Sequence, residues 1–204
     1  MTGWLLDIAA RGLDHVRTLR TRRRWAKLRA LGMKIGRNVL LPDSTWIDTS
    51  HCFLIEIGDD CGFGEQCMLL AHDAQMDEFL DAARIGRIQI HPSSHLGSCC
   101  IVLPGVDIGP RTIVGANSVV SKSLPPETVC AGAPAKVICT LEEYLQKHRE
   151  RLARLPNFDY RLYDIRSLTE ELKAELVRSV ASQDAYIVGG HSAELRGEGG
   201  TQRT

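Results

Sequence analysis

The chain has no net charge: 25 Lys and Arg offset 25 Asp and Glu across 204 residues. Recognition of nucleic acid calls for a basic excess or stripe, so the composition gives no reason to expect that partner. No apolar run reaches the roughly 20 residues that a membrane-crossing helix requires. The opening MTGWLLDIAARG carries an acid early and turns polar too soon for a secretory leader. The expected compartment is therefore a reducing cytoplasm, where the seven cysteines need not pair into disulfides. At this length the chain holds one main domain with appendages.

What is present is a period. From Ile90 the chain reads IHPSSH, LGSCCI, VLPGVD, IGPRTI, VGANSV, VSKSLP, with Ile90, Leu96, Val102, Ile108, Val114 and Val120 recurring every six residues. That spacing belongs to neither an isolated helix nor a lone strand. A large aliphatic at the first position and a small residue at the fifth mark the hexapeptide turns of a parallel β-helix. The fifth positions are Ser94, Cys100, Val106, Thr112 and Ser118, and Leu124 alone is oversized. Three hexads make one coil of eighteen residues, so 90–125 supplies two coils, the last ending at Pro125 and Pro126.

The same template finds Ile57, Phe63 and Leu69 upstream, with Cys61 and Cys67 inside, and before them Ile35, Leu41 and Ile47, with Val39 and Thr45 inside. Cys61, Cys67 and Cys100 thus read as core residues. Two breaks interrupt the rhythm, a short slip at 53–56 and a longer excursion at 75–89. Insertions in a solenoid leave as loops, often on the face that binds something. His72, in LLAHDAQ, stands just before the longer one at an outward corner position. Imidazole is the side chain suited to taking a proton near neutral pH.

The segment LPGVDIGPRTIVGANSVVSKSLPPETVCAGAPAKVI resembles the closing coils of the hexapeptide-repeat acetyltransferases. The run AHDAQMDEFLDAARIGRIQI is most similar to the members that modify polysaccharides. The likeness covers about 35–138. It implies an all-β solenoid, a left-handed parallel β-helix that departs from the usual right-handed crossover, assembled as a homotrimer with its active sites between subunits. It implies acetyl-coenzyme A as acyl donor, no metal, and a glycan or small-molecule acceptor, as in capsule, lipopolysaccharide or exopolysaccharide synthesis.

The family's general base falls on His72, which would deprotonate a saccharide hydroxyl or amine. A donor to the thioester carbonyl falls on Ser98, and coenzyme contacts fall on Gly97, Ser98, Gly115, Ala116, Ser121, Lys122 and Lys136. Cys139 stands where many relatives carry a second Arg. Asp73 is a candidate for acceptor contact that also fits an inward slot, and His95 is a second candidate. His91 and His95 replace the family's Gly and aromatic after the excursion, and with His72 they leave open a zinc site resembling that of gamma-class carbonic anhydrases. A serine acetyltransferase and a non-catalytic binding scaffold also remain open.

The expected organisation is a helical arm over 1–34, the β-helix over 35–138, a helical extension over 139–187 and a disordered tail over 188–204. Trp4, Leu5, Ile8, Ala9, Leu13 and Val16 fall at helical spacing, followed by basic residues from Arg17 to Arg29. The favoured reading of this arm is a cap on an open solenoid end. The other is peripheral association of 1–29 with the inner face of the plasma membrane. Thr140 with Glu143 and Ser167 with Glu170 read as capping boxes, opening helices that run to about Leu155 and Ala181.

Overall fold

The computed structural model describes residues 20–190 apart from 22 and 166. The proposed tail beyond 190 and the apolar half of the N-terminal arm lie outside the described residues.

Strands of two to four residues form three parallel sheets that the chain visits in turn. The first sheet stacks Lys34–Ile35, Ile55–Ile57, Ile88–Ile90 and Asp107–Ile108. The second stacks Gly62–Phe63, His95–Leu96, Ile113–Val114 and Thr128–Ala131, and the third Trp46–Ile47, Met68–Leu69, Ile101–Val102 and Val119–Val120. Ile90 pairs with Ile108, Leu96 with Val114 and Val102 with Val120, each one coil of eighteen residues apart. Their side chains are buried in columns, Ile35 being half-buried: Ile35, Ile57, Ile90 and Ile108; Phe63, Leu96 and Val114; Ile47, Leu69, Val102 and Val120. Each fully buried aliphatic contributes about 1.5–3 kcal/mol over its exposed state.

The small fifth positions are buried as expected, and several of them also donate. Ser94 Oγ bonds Gly109 O at 2.7 Å and Thr112 Oγ1 bonds Pro125 O at 2.8 Å. The thiols of Cys61, Cys67 and Cys100 reach His91 O, Gly97 O and Gly115 O, each at 3.2 Å. Sulfur takes the place of hydroxyl on corner carbonyls of the next coil, and Gly115 O accepts from Ser118 Oγ as well, at 2.6 Å. Burial pushes the Cys61 thiol up, and all seven cysteines are free.

Corners are made by residues with positive φ, which turn the chain between short strands. After the first sheet these are Asn38, Asp60, Ser93, Arg111 and Glu127; after the second, Gln66, Cys99 and Asn117. After the third sheet only Gly105 does so among the described residues, and both breaks leave from that corner. Asp59 ties two coils at the first corner by accepting from Arg37 N at 2.8 Å and Nε at 3.0 Å. The backbone N–H of Arg37, then its guanidinium, holds the Asp59 carboxyl below the ordinary carboxylate range.

Four expectations are corrected. Ile55 pairs with Ile88 across the first sheet, so the extra residues precede Ile55 and Ile88 rather than occupying 53–56 and ending at 89. These slots hold large aliphatics, which mis-seats a template that asks for small residues. The last coil does not end at Pro125 and Pro126: Val129 and Cys130 pair with Ile113 and Val114, and Lys136–Thr140 pairs antiparallel with that strand. Leu124 bridges Ile108, sixteen residues apart, so this coil is two residues short and Leu124 fills an aliphatic position rather than a small slot.

The fourth correction concerns the extension. The N-cap of its second helix, Glu170–Ser179, is Thr169, whose side chain accepts from Leu172 N, while Ser167 Oγ donates to Asp164 O at 3.3 Å. Thr169→Ala therefore destabilises this helix by about 0.5–2 kcal/mol in urea denaturation, and Ser167→Ala changes it little.

Two compact units divide at Leu141 and Glu142. The smaller contains most of the helix Leu141–Leu152, the helix Glu170–Ser179, and a parallel pair, Asn157–Asp159 with Tyr186–Val188, that helical periodicity did not reveal. In the larger, residues 23–30 are helical, with Trp25 and Leu28 buried in the solenoid core and Arg24 Nη1 bonded to Pro42 O at 3.2 Å and Asp43 O at 3.0 Å. This part of the arm covers the first coil.

Candidate active site

His72 begins the excursion where Gly105 turns the corner one coil on. It forms a two-residue strand with Asp73, antiparallel to Arg84–Ile85, and the short helix Asp77–Leu80 lies between them. The ring is half-buried. It lies 4.7 Å from the ring of His51, centroid to centroid, at an interplanar angle of 18°.

His51 comes from the preceding coil, at the shorter break. It precedes the turn Cys52–Leu54 that closes the break. Asp48, just past Trp46–Ile47, is buried and anchored by its N–H to Leu69 O at 3.1 Å. Its Oδ1 accepts from Ser50 N at 3.1 Å and from the Ser50 hydroxyl. Ser50 Oγ is also 2.9 Å from His51 Nδ1. The hydroxyl gives its one proton to the carboxylate, so it accepts from His51, which assigns the ring proton to Nδ1 and the lone pair to Nε2.

Asp48 Oδ2 is buried with no hydrogen-bond partner among the described residues, 3.7 Å from His51 Nδ1. Ligand-type atoms of Asp48, His51 and His72 all lie within 4.8 Å of one another. Asp48 and His51 escaped the sequence reading. The signal for them was there: both breaks leave the same corner in consecutive coils, so residues 21 to 24 before His72 had to come close to it.

Asp73 does not occupy an inward slot, because the chain has already left the coil. It is half-exposed, and its Oδ1 accepts from Gln75 N at 3.0 Å, closing the first turn of the excursion. Ala71 is the buried residue there. Ser98, Gly97, Gly115 and Ala116 line the corner after the second sheet, whereas His72, Ser121 and Lys122 follow strands of the third. Within one chain, then, His72 and Ser98 stand on different edges of the prism.

A Cβ on Gly97 would meet Ala116 N at 2.5 Å, so this glycine answers to coil-to-coil spacing inside the chain. Lys122 and Lys136 are exposed, Lys136 on the returning strand. His95 lies on the outside of the second sheet, its Nδ1 over the bare Cα of Gly62. His91 follows the first sheet, its N–H bonded to Ile108 O at 2.9 Å. The three imidazoles of the zinc expectation therefore do not converge within a chain.

No protein-family profile matches the sequence. WcaF of Escherichia coli K12, whose name provisionally makes it a colanic acid biosynthesis acetyltransferase, is 33% identical over 133 residues, covering 54% of this chain and 71% of WcaF. YvoF of Bacillus subtilis strain 168, provisionally named an acetyltransferase, is 28% identical over 123 residues, covering 60% of this chain and 69% of YvoF. VCA0836 of Vibrio cholerae O1 biovar eltor, a hexapeptide-repeat acetyltransferase solved with acetyl-coenzyme A, is 21% identical, with TM-score 0.48 over 59% of this chain and 78% of its own. The chain is an acyltransferase. It belongs to the hexapeptide-repeat acetyltransferase family, in the company of WcaF.

Proposed function

We propose that this protein is an acetyl-coenzyme A-dependent O-acetyltransferase of a saccharide acceptor, acting in the synthesis of an extracellular or surface polysaccharide. The observation that carries the reading is His72, half-exposed at the root of the excursion and braced by the ring of His51. The named role of WcaF supports a polysaccharide context.

A sugar hydroxyl is a poor nucleophile because its proton is held tightly. His72 takes that proton as the oxygen attacks the thioester carbonyl, which requires heavy atoms about 2.6–3.2 Å apart. The carbonyl π electrons move onto oxygen, where Ser98 donates to the developing charge. Collapse re-forms the carbonyl and breaks the C–S bond. The departing thiolate takes the proton back from the His72 imidazolium, leaving acetylated sugar, free coenzyme A and a neutral ring.

His72 and Ser98 stand on different edges of one chain, so this chemistry needs a second copy to supply one of them. The assembly we propose is a homotrimer of left-handed β-helices over 35–138, with coenzyme A between neighbours along Gly97, Gly115, Ala116, Ser121, Lys122 and Lys136. Asp73 and His95 face the acceptor side. On this reading the enzyme lies in the cytoplasm, where acetyl-coenzyme A is made. Among the described residues no helix is long and apolar enough to cross a membrane.

A thiol-release assay with acetyl-coenzyme A tests the reading against nucleotide sugars, free sugars, lipid-linked glycans and serine. Release with a saccharide acceptor is expected. Release with serine alone, or with no acceptor in the panel, would reject it.

A further inference from the structure

We propose that Asp48, His51 and His72 form a binding site for a divalent transition cation of the zinc type. The strongest indication is Asp48 Oδ2. A carboxylate oxygen in a side chain only 9% exposed, with no hydrogen-bond donor among the described residues, is an expensive group to bury. The nearest positive candidate is His51 Nδ1 at 3.7 Å, beyond hydrogen-bonding distance. A cation between the carboxylate and the two rings would satisfy that oxygen.

The donor set suits this ion. Two imidazoles and one carboxylate are a familiar zinc complement that leaves a fourth position for water, and oxygen-preferring cations such as Mg²⁺ rarely choose two imidazoles. With zinc–nitrogen bonds of about 2.0–2.1 Å in tetrahedral geometry, two ring nitrogens sit about 3.3 Å apart. The present donor atoms lie within 4.8 Å of one another. Small rotations of two partly exposed rings close the difference, while Asp48 stays fixed by Ser50 and Leu69. Hydrogen bonding between a ligand ring and a neighbouring hydroxyl, as from His51 to Ser50, is the outer-shell support that such sites use to set a tautomer.

The test is calorimetric titration of the full-length, metal-stripped protein with Zn²⁺, alongside cobalt absorption spectra and thermal unfolding. One Zn²⁺ per chain is expected, with tetrahedral cobalt bands and a raised Tm. His51→Ala and His72→Ala are each expected to weaken binding by roughly 10-fold or more. Asp48→Asn should do likewise, and His51→Ala keeps the test decisive if that buried variant does not fold. A His91→Ala/His95→Ala double variant should bind as the parent does. Absence of Zn²⁺ binding, or binding unaffected by His51→Ala, would overturn the proposal. Neither result touches the acetyltransferase reading, which is judged by thiol release. If both hold, added Zn²⁺ should inhibit transfer reversibly, because the ion occupies the nitrogen that takes the acceptor proton.

Discussion

His72→Ala lowers kcat by about 10²- to 10⁴-fold, the contribution of a positioned general base, and leaves the fold and acetyl-coenzyme A binding intact. The fold survives because the ring is half-exposed at an excursion and belongs to none of the buried columns. Binding of the donor survives because the proposed coenzyme contacts lie along coils that His72 does not support. The discriminating readout is thus a fall in kcat at constant donor affinity, measured by steady-state thiol release and calorimetry. Undiminished turnover would move the base elsewhere. His51 is the alternative the geometry offers, since its Nδ1–H points to Ser50 and its Nε2 carries a lone pair. His51→Ala, which removes only the stacked neighbour in the present account, should reduce kcat less than His72→Ala.

Gly64→Ala destabilises the solenoid by about 3 kcal/mol, at the upper end of the usual cost of overpacking, and so lowers Tm by roughly 6–12 °C. An added Cβ would stand 2.3 Å from Ser98 N, 2.5 Å from Ser98 Oγ and 2.7 Å from Ser98 Cα. Two of those atoms are backbone, so no side-chain rotation relieves the clash. The coils cannot easily part either, because Gly64 N bonds Leu96 O at 2.7 Å and Cys99 N bonds Glu65 O at 2.8 Å on either side of the collision. Gly115 provides the contrast: its added Cβ would first meet Ala131 Cβ at 3.0 Å, with the next atom at 3.6 Å. Gly115→Ala should cost less than about 1 kcal/mol by the same measure. Equal Tm for the two variants would mean that coil spacing is softer than these distances require. Because the clash at Gly64 falls on Ser98, the variant should also impair transfer in whatever fraction remains folded.

The lengths of both breaks were legible in the sequence, and their exact seats were not. Ile35 pairs with Ile57, an offset of 22, which is one coil of 18 plus 4. Ile57 pairs with Ile90, an offset of 33, which is 18 plus 15. These are the lengths of 53–56 and 75–89, displaced toward the N-terminus because Ile55 and Ile88 fill inner slots for which the template asks a smaller residue such as Cys, Ser, Thr or Val. Leu124 likewise looked oversized only while the coil was counted at full length. In the extension, the acid at cap spacing follows Ser167, whereas Thr169 has Leu172 there, so the sequence pattern favoured Ser167 and only the backbone could choose Thr169. The strands Asn157–Asp159 and Tyr186–Val188 are too short to show a period and exist through each other.

A repeat of six residues, with aliphatics wide enough to fill a column and small residues that reach a corner carbonyl, was sufficient to establish the stacked coils and to single out the histidine where the longest break begins. Each rung repeats the local chemistry of the last, so the architecture is written in near neighbours. What surrounds that histidine was settled only by stacking. Asp48 and His51 lie more than twenty residues upstream, and they come under His72 because a four-residue break and a fifteen-residue break leave one corner in adjacent coils. Proximity of that kind depends on the register between coils, a property of the whole stack that no single hexad contains.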